Sequence, residues 1–372
     1  MHYFIYADTD ATLYEGEATQ SQNTGIDEIL EVRKDMNDNG SVIKVSRALI
    51  KFDITEISES VVDGTIPSNA KYYLNLYDAN SVELNTTQSL YAYPVSQSWD
   101  GGQGKFHDNP KTTEGVSWRY RIGETDGTQW ISGSNDTGGT WYSGSGYAAS
   151  QSFAYETIDM RMDVTDIVNK WYDGTVPNQG FMVKRSGSVG NSDSNAEEGN
   201  TTKYGHFAFF SRETNTIYQP KLEAEWNDSL WSSGSLTQLS GSQLEDIVFY
   251  MKGLRSEYRE KSKVKFRVVA RERYPAKTYS TTTVNDGVTI HHLPSASSYY
   301  QIKDALSEDV IVPYGSGSYL SCDSSGNYFN VWLNGLQSER YYQIEYKVVS
   351  GSGASKTINY YGGEDFKFKV SR

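Results

Sequence analysis

Residues 160–185, MRMDVTDIVNKWYDGTVPNQGFMVKR, change hydrophobic period twice. Met160, Met162 and Val164 alternate with Arg161 and Asp163, the two-residue repeat of a half-buried strand. Asp163 or Thr165 can then cap a short helix on which Ile167, Val168 and Trp171 share a face. Asp173 and Gly174 end that helix, PNQG (177–180) turns the chain, and FMVK (181–184) reads as a second strand. A helix this short is marginal alone. It is expected to lie across the end of a sheet, anchored by Trp171.

Strand patterns recur around this segment. They cover 4–13, 29–34, 41–45, 47–54, 70–78, 89–95, 205–210 and 220–226. Within 47–54, Leu49, Lys51 and Asp53 are expected on one face and Ala48, Ile50, Phe52 and Ile54 on the other. The run DMNDNG (35–40) carries an Asn-Gly pair that accepts a type I′ hairpin turn. It also begins like a calcium loop, but the twelfth position is Ser46 rather than Glu and no flanking helices are expected. The hairpin is the expected reading and a cation site the alternative.

From 101 to 152 the pattern breaks into Gly, Ser, Thr and Asp around Trp118, Trp130, Trp141 and Tyr142. Long excursions from a sheet are commonly functional or disordered. Rings beside short polar groups suit a sugar-binding or protein-contact surface, so these four residues are the candidate binding surface. The competing expectation is that the Trp rings plug one end of the sheets, since Trp is highly buried on average.

Seven pieces then stand in a recognisable order: SRALIKFDI (46–54), AKYYLNLYDA (70–79), Trp99 with GVSW (115–118), MDVTDIVNKWYDG (162–174), NQGFMVKR (178–185), FFSRE (209–213) and PKLEAEW (220–226). Together they resemble the DNRLRE-type, carbohydrate-binding-module-like β-sandwich found in extracellular repeats and some phage proteins. The resemblance spans about residues 10–227. It implies a jelly-roll-like sandwich in which Arg212 and Glu213 form a structural ion pair tying the last strands together. The chain departs from that pattern in the enlarged 101–152 segment and in placing FHDNP (106–110) before the Val-Ser-Trp.

Residues 228–241, NDSLWSSGSLTQLSG from 227 onward, read as a linker, although Leu230 and Trp231 could dock it on either side. Beyond it, 246–251, 264–270, 299–302, 310–312, 328–333, 342–349 and 366–370 have strand character. GLRSE (253–257) echoes GLQSE (335–339). The second resembles an Ig or fibronectin-III corner, because Tyr342 follows Leu336 by six residues and can bond back across the bend. The fold expected is therefore all-β: a jelly-roll-like sandwich over 1–227, then one or two Ig-like sandwiches over 242–372. Basic residues gather between Lys252 and Arg273, a solvated face by default and a docking face for an acidic neighbour otherwise.

Composition sharpens this picture. Aromatic residues make up 13% of the 372, with 29 Tyr and 8 Trp, and there are 33 Gly. That bias favours sheets with many turns over disorder. A net charge of −13 disfavours nucleic acid as a partner. Cys322 is the only cysteine, so no internal disulfide or thiolate cluster forms. His2, His107, His206, His291 and His292 show no ligand spacing, and His291 and His292 should point apart on a strand, so neither metal nor cofactor is expected. No nucleophile-and-base motif stands out, and no enzyme activity is expected.

The start MHYFIYADTD lacks a basic, apolar leader, and no apolar run has membrane-spanning length, so the sequons at Asn85, Asn135, Asn200 and Asn227 carry little weight. A Tyr-rich β-protein with adhesive character but no leader points to assembly in a host cytoplasm. The expectation is a structural component of a bacteriophage virion, in the neck, tail or baseplate, touching other virion proteins. The alternative is a carbohydrate-binding adhesin that touches host glycans.

Overall fold

The computed structural model describes residues 1–36, 43–84, 87–131, 138–154, 159–187, 196–239, 244, 246–274, 290–351, 353 and 356–372. The turn expected at 37–40 and the sequons at Asn85 and Asn135 lie outside these residues. Strands dominate the rest, and the fold is all-β as expected. The chain divides into two units, residues 5–224 and residues 1–4 with 225–372, and the division falls inside the first and fourteenth strands.

In the unit of residues 5–224 the elements run β1 (His2–Tyr6), β2 (Thr9–Tyr14), β3 (Ile29–Val32), β4 (Lys34–Met36), β5 (Ile43–Lys51), α1 (Thr55–Val62), β6 (Lys71–Leu76) and β7 (Gln88–Pro94). They continue with β8 (Tyr120–Ile122), β9 (Thr128–Gln129), β10 (Ala149–Phe153), β11 (Met160–Asp163), α2 (Thr165–Tyr172), β12 (Phe181–Lys184), β13 (Phe207–Phe210) and β14 (Lys221–Glu225). One sheet has the order β10-β7-β12-β5-β2, with β4 also pairing β5. A second runs β1-β14-β6-β11, and a third is the pair β13-β3.

Helix α2 forms where the period predicts, and Trp171 anchors it with its ring 4.5 Å from that of Phe181. The cap differs. Val164 occupies the N-cap without a side-chain bond, and Asp163 accepts the Thr165 N–H at 3.1 Å. Helix α1 was not expected, because only Ile57 and Ser60 of its eight residues are buried and its apolar stripe is too thin to read.

The alternation expected along 47–54 is present in the backbone but not in burial. Leu49 and Ile50 are both fully buried. Phe52 meets Phe181 on one face of the sheet, with ring centroids 6.1 Å apart. The other face, carrying Ala11, Leu13, Leu49 and Met182, is covered by Trp99, Val116, Trp118 and Trp130. Val116, Trp118 and Trp130 of the excursion therefore form a second layer of core. Asn23 fastens it: Nδ2 donates to Gly101 O at 2.7 Å and to Val116 O at 2.8 Å, while Oδ1 accepts the Gly104 N–H at 2.7 Å. Gly138 has φ +59°, and a Cβ there would stand 2.6 Å from the Trp118 ring, so glycine is needed for the excursion to close over that ring.

The second unit holds β15 (Ile247–Lys252), β16 (Glu257–Arg259), β17 (Lys263–Glu272), β18 (Ser298–Asp304), β19 (Val310–Val312), β20 (Ser321–Asp323), β21 (Gly326–Trp332), β22 (Arg340–Ser350), β23 (Thr357–Tyr361) and β24 (Lys367–Ser371). Its sheets run β15-β17-β21-β20 and β16-β24-β22-β18-β19, with β23 on β22. Both contribute to one core that includes Phe266, Phe329, Tyr300, Tyr346 and Phe368. This resolves the one-or-two alternative as a single unit. Residues 228–239 belong to it and are no free linker: the Ser232 N–H donates to Cys322 O at 2.8 Å, the Leu239 N–H donates to His292 O at 2.9 Å, and Leu239 is fully buried. Phe4 joins the same core, where Asn334 Nδ2 donates to its carbonyl at 2.6 Å. The expected corner forms, with Tyr342 Oη donating to Gln337 O at 2.8 Å.

Candidate functional site

The pair β3-β13 carries a cleft on its outer face. Along β3, Leu30 and Val32 point inward while Ile29 and Glu31 line the cleft. Opposite them, Ala208 pairs with Glu31 and His206 stands just before β13, with Phe207 and Phe209 turned inward. Asp27 and Glu28 approach from the loop before β3, Asn80 and Val82 from the loop after β6, and Lys105, Phe106 and His107 from the excursion. The open cleft has a volume of about 490 Å³, large enough for a sugar ring or a comparable small ligand.

Glu31 is the most tightly held of these groups. Tyr14 Oη donates to its Oε2 at 2.6 Å, and His206 Nε2 lies 3.2 Å from Oε1, at ion-pair distance rather than in a well-aligned hydrogen bond. Arg33 approaches Oε2 at 3.6 Å. Burial alone would raise the Glu31 carboxyl, but the His206 and Tyr14 contacts and the Arg33 charge outweigh it, and the group sits below its usual value. Burial, reinforced by the negative charge of Glu31, holds the Tyr14 phenol well above its usual value.

Asp27 has the opposite character. Both its carboxylate oxygens face the Phe106 N–H, at 3.2 and 3.1 Å. Burial pushes it up to about 6, against the lowering effect of that bond and of Lys105, and with Glu31 adding to the rise. Lys105 Nζ is 3.9 Å from Glu28 Oε1 at the exposed rim. The rings of Phe106 and Tyr14 lie 4.5 Å apart, and His107 meets Phe106 edge-on at 5.1 Å. Tyr14 is buried beneath, so Phe106 and the exposed His107 are the rings a ligand would reach.

The residues singled out from sequence lie elsewhere, and two of them cannot present a surface. Trp118 is 1% exposed and Trp130 4%, both in the layer that covers β5 and β12. The physical reason is that this face of the sheet is apolar, and burying the rings on it outweighs displaying them. Trp141 is half-buried, with the Arg47 guanidinium 5.1 Å and the Lys184 ammonium 4.7 Å from its ring. Tyr142 is half-buried and stacks on Tyr147 at 5.8 Å. Arg212 and Glu213 do pair, at 3.0 Å, but they are neighbours at the surface and tie no strands together. The tie at that motif comes from the Arg212 N–H, which donates to the buried Asp10 carboxylate at 2.6 Å. His291 bonds to Thr237 and His292 to Leu293 O, and the two residues form isolated bridges outside the named strands.

Sequence reasoning missed Asp27, Glu31 and His206 because nothing in their spacing joins them. The one available signal was FHDNP (106–110), displaced from its place in the DNRLRE pattern, and it delivers Phe106 and His107 to the cleft.

No protein-family model matches this chain, and no curated protein matches it. The solved structure of a DUF4785 family protein from Legionella pneumophila is similar at 9% identity over 96% of this chain and 68% of that one. Its TM-score of 0.18 carries no argument about fold or function. The DNRLRE resemblance thus rests on its ordered motifs alone.

Proposed function

We propose that this chain is a non-enzymatic recognition protein that binds a sugar in the cleft beside β3 and β13. The observation that carries the reading is the meeting of an accessible ring pair, Phe106 and His107, with the polar groups of Asp27, Glu28, Asn80 and Lys105 around an open cleft of about 490 Å³. Rings stack on the apolar face of a pyranose while short polar side chains fix its hydroxyls. The carboxylates support binding rather than hydrolysis, because Glu31 is engaged by Tyr14 and His206 and Asp27 by the Phe106 N–H. Glycan-array screening followed by titration of the best ligand tests this. Phe106→Ala and Asp27→Asn are each expected to weaken binding at least tenfold. Unchanged affinity in both variants, or release of reducing ends from a polysaccharide, overturns the reading.

The assembly role in a bacteriophage virion is the second reading. One observation favours it: Leu306 is 88% exposed and borders, with Tyr341 and Lys367, a hollow of about 460 Å³ in the C-terminal unit. An exposed apolar side chain over such a hollow suits a protein neighbour. Copurification with a particle in fixed stoichiometry, lost in Leu306→Asp, is the expected result under this reading.

A further inference from the structure

The outward face of the β18-β22-β23 sheet carries a row that the cleft does not involve. Tyr342, Ile344, Tyr346 and Val348 of β22 enter the core, so Lys347 points outward. Tyr299 lies directly opposite Lys347 on β18, and Tyr360 directly opposite it on β23. Tyr319 bridges to Tyr299 on the far side, with ring centroids 4.7 Å apart and hydroxyls 3.5 Å apart. The sequence of groups across the strands is Tyr319, Tyr299, Lys347, Tyr360. At about 4.8 Å per strand it extends roughly 14 Å.

The cation at the centre of this row has rings for neighbours. Lys347 Nζ stands 5.8 Å from the Tyr299 ring and 5.6 Å from the ring of Tyr314, which in turn lies 6.1 Å from Tyr360. Among the described residues no carboxylate lies at ion-pair distance from it. The nearest outward acid along β22, Glu345, is taken by Lys303 at 2.6 Å. Tyr360 is 64% exposed.

We propose that this row binds an anionic oligosaccharide, a linear chain of uronic acid residues. Its carboxylate would sit at Lys347, and the sugars before and after that uronate would lie on Tyr299 and Tyr360. The strand spacing is close to the length of one hexose ring, so three consecutive sugars can match the order Tyr299, Lys347, Tyr360. A neutral glycan would use the rings but leave the ammonium without a counter-charge. The binding is expected to be salt-sensitive, because the ammonium is near the surface.

The experiment titrates the full chain with oligogalacturonate and with the same oligomer fully methyl-esterified, at low salt and at about 0.5 M salt. Binding of the acid form is expected, with at least tenfold loss on esterification, in high salt, in Lys347→Ala and in Tyr360→Ala. Phe106→Ala, in the cleft, is expected to leave it unchanged, which separates this site from the one proposed above. Equal affinity for the two oligomers, no loss in Lys347→Ala and Tyr360→Ala, or no binding at all overturns the proposal. So does self-association of the protein that Tyr360→Ala abolishes, which would assign the row to a protein contact.

Discussion

Arg47 grips Glu198 with two parallel hydrogen bonds, Nε to Oε1 at 3.1 Å and Nη2 to Oε2 at 2.7 Å, and both side chains are 1% exposed. Lys184 adds a third contact to the same carboxylate at 3.2 Å. One acid thus serves two buried cations on neighbouring strands, and the Arg47 guanidinium also lies 4.6 Å from the Trp118 ring. Such a pair adds little over an apolar replacement, but breaking it strands buried charge. Glu198→Ala is expected to cost about 3–5 kcal/mol. Urea denaturation measures it, and a loss under about 1 kcal/mol would mean that water reaches the cations.

Trp118 and Tyr142 should separate in the same assay. Trp118 fills the layer over β5 and β12, so Trp118→Ala is expected to destabilise by about 3–5 kcal/mol. Tyr142→Ala removes a half-buried ring stacked on Tyr147 and is expected to cost about 1 kcal/mol. The reverse ranking would return Trp118 to the surface role that its sequence context suggested.

Among the described residues the Asn23 side chain is a hub of four hydrogen bonds, the fourth being the Gly25 N–H donating to Oδ1 at 3.2 Å. Asn23→Asp would turn an acceptor toward the Gly101 and Val116 carbonyls in place of an amide donor. Two buried carbonyls then lose their partner, and a destabilisation of at least about 2–4 kcal/mol is expected. Limited proteolysis reads the location of the damage: the first cuts should fall within 101–131. Cleavage spread evenly along the chain would contradict the hub.

What the sequence made legible follows from which signals are local. Helix α2 and β12 could be read because the change of period and the turn PNQG lie within one short stretch. Tyr342 could be read because its partner carbonyl is five residues away. The covering of Leu49 by Trp118 could not, since the two are far apart in sequence and Leu49 was expected to share its face with the charged Lys51 and Asp53. The cleft was hidden for the same reason. Tyr14, Glu31 and His206 come from three strands or their edges, and only the pairing of β3 with β13 brings Glu31 and His206 together.

Tyr342→Phe tests the corner at the C-terminal unit. It keeps the ring in the core and removes only the hydroxyl that donates to Gln337 O. The expected loss is about 1–1.5 kcal/mol, the net value of one such bond. Tyr342→Leu should cost more, because the ring itself is fully buried. Equal costs would make the hydrogen bond irrelevant.

Asp10 gives residues 5–224 a pH dependence of definite sign. It is buried on β2, accepts the Arg212 N–H, and has Glu213 nearby. Burial, with a smaller rise from Glu213 and against the lowering effect of that hydrogen bond, pushes its carboxyl up to about 7. The unfolded chain releases the same proton near the ordinary value of about 4. Between these two values the folded state holds the extra proton, so stability declines as pH rises; it is undiminished below about 4 and fully reduced above about 7. The reduction is on the order of a few kcal/mol. Asp10→Asn cannot ionise, and its Oδ1 still accepts the Arg212 N–H. The variant should therefore gain on the parent protein as pH rises from about 4.5 to 8, whatever offset it starts with. Urea denaturation of both proteins across that range measures the gain, and a difference that stays flat with pH would remove Asp10 as its source.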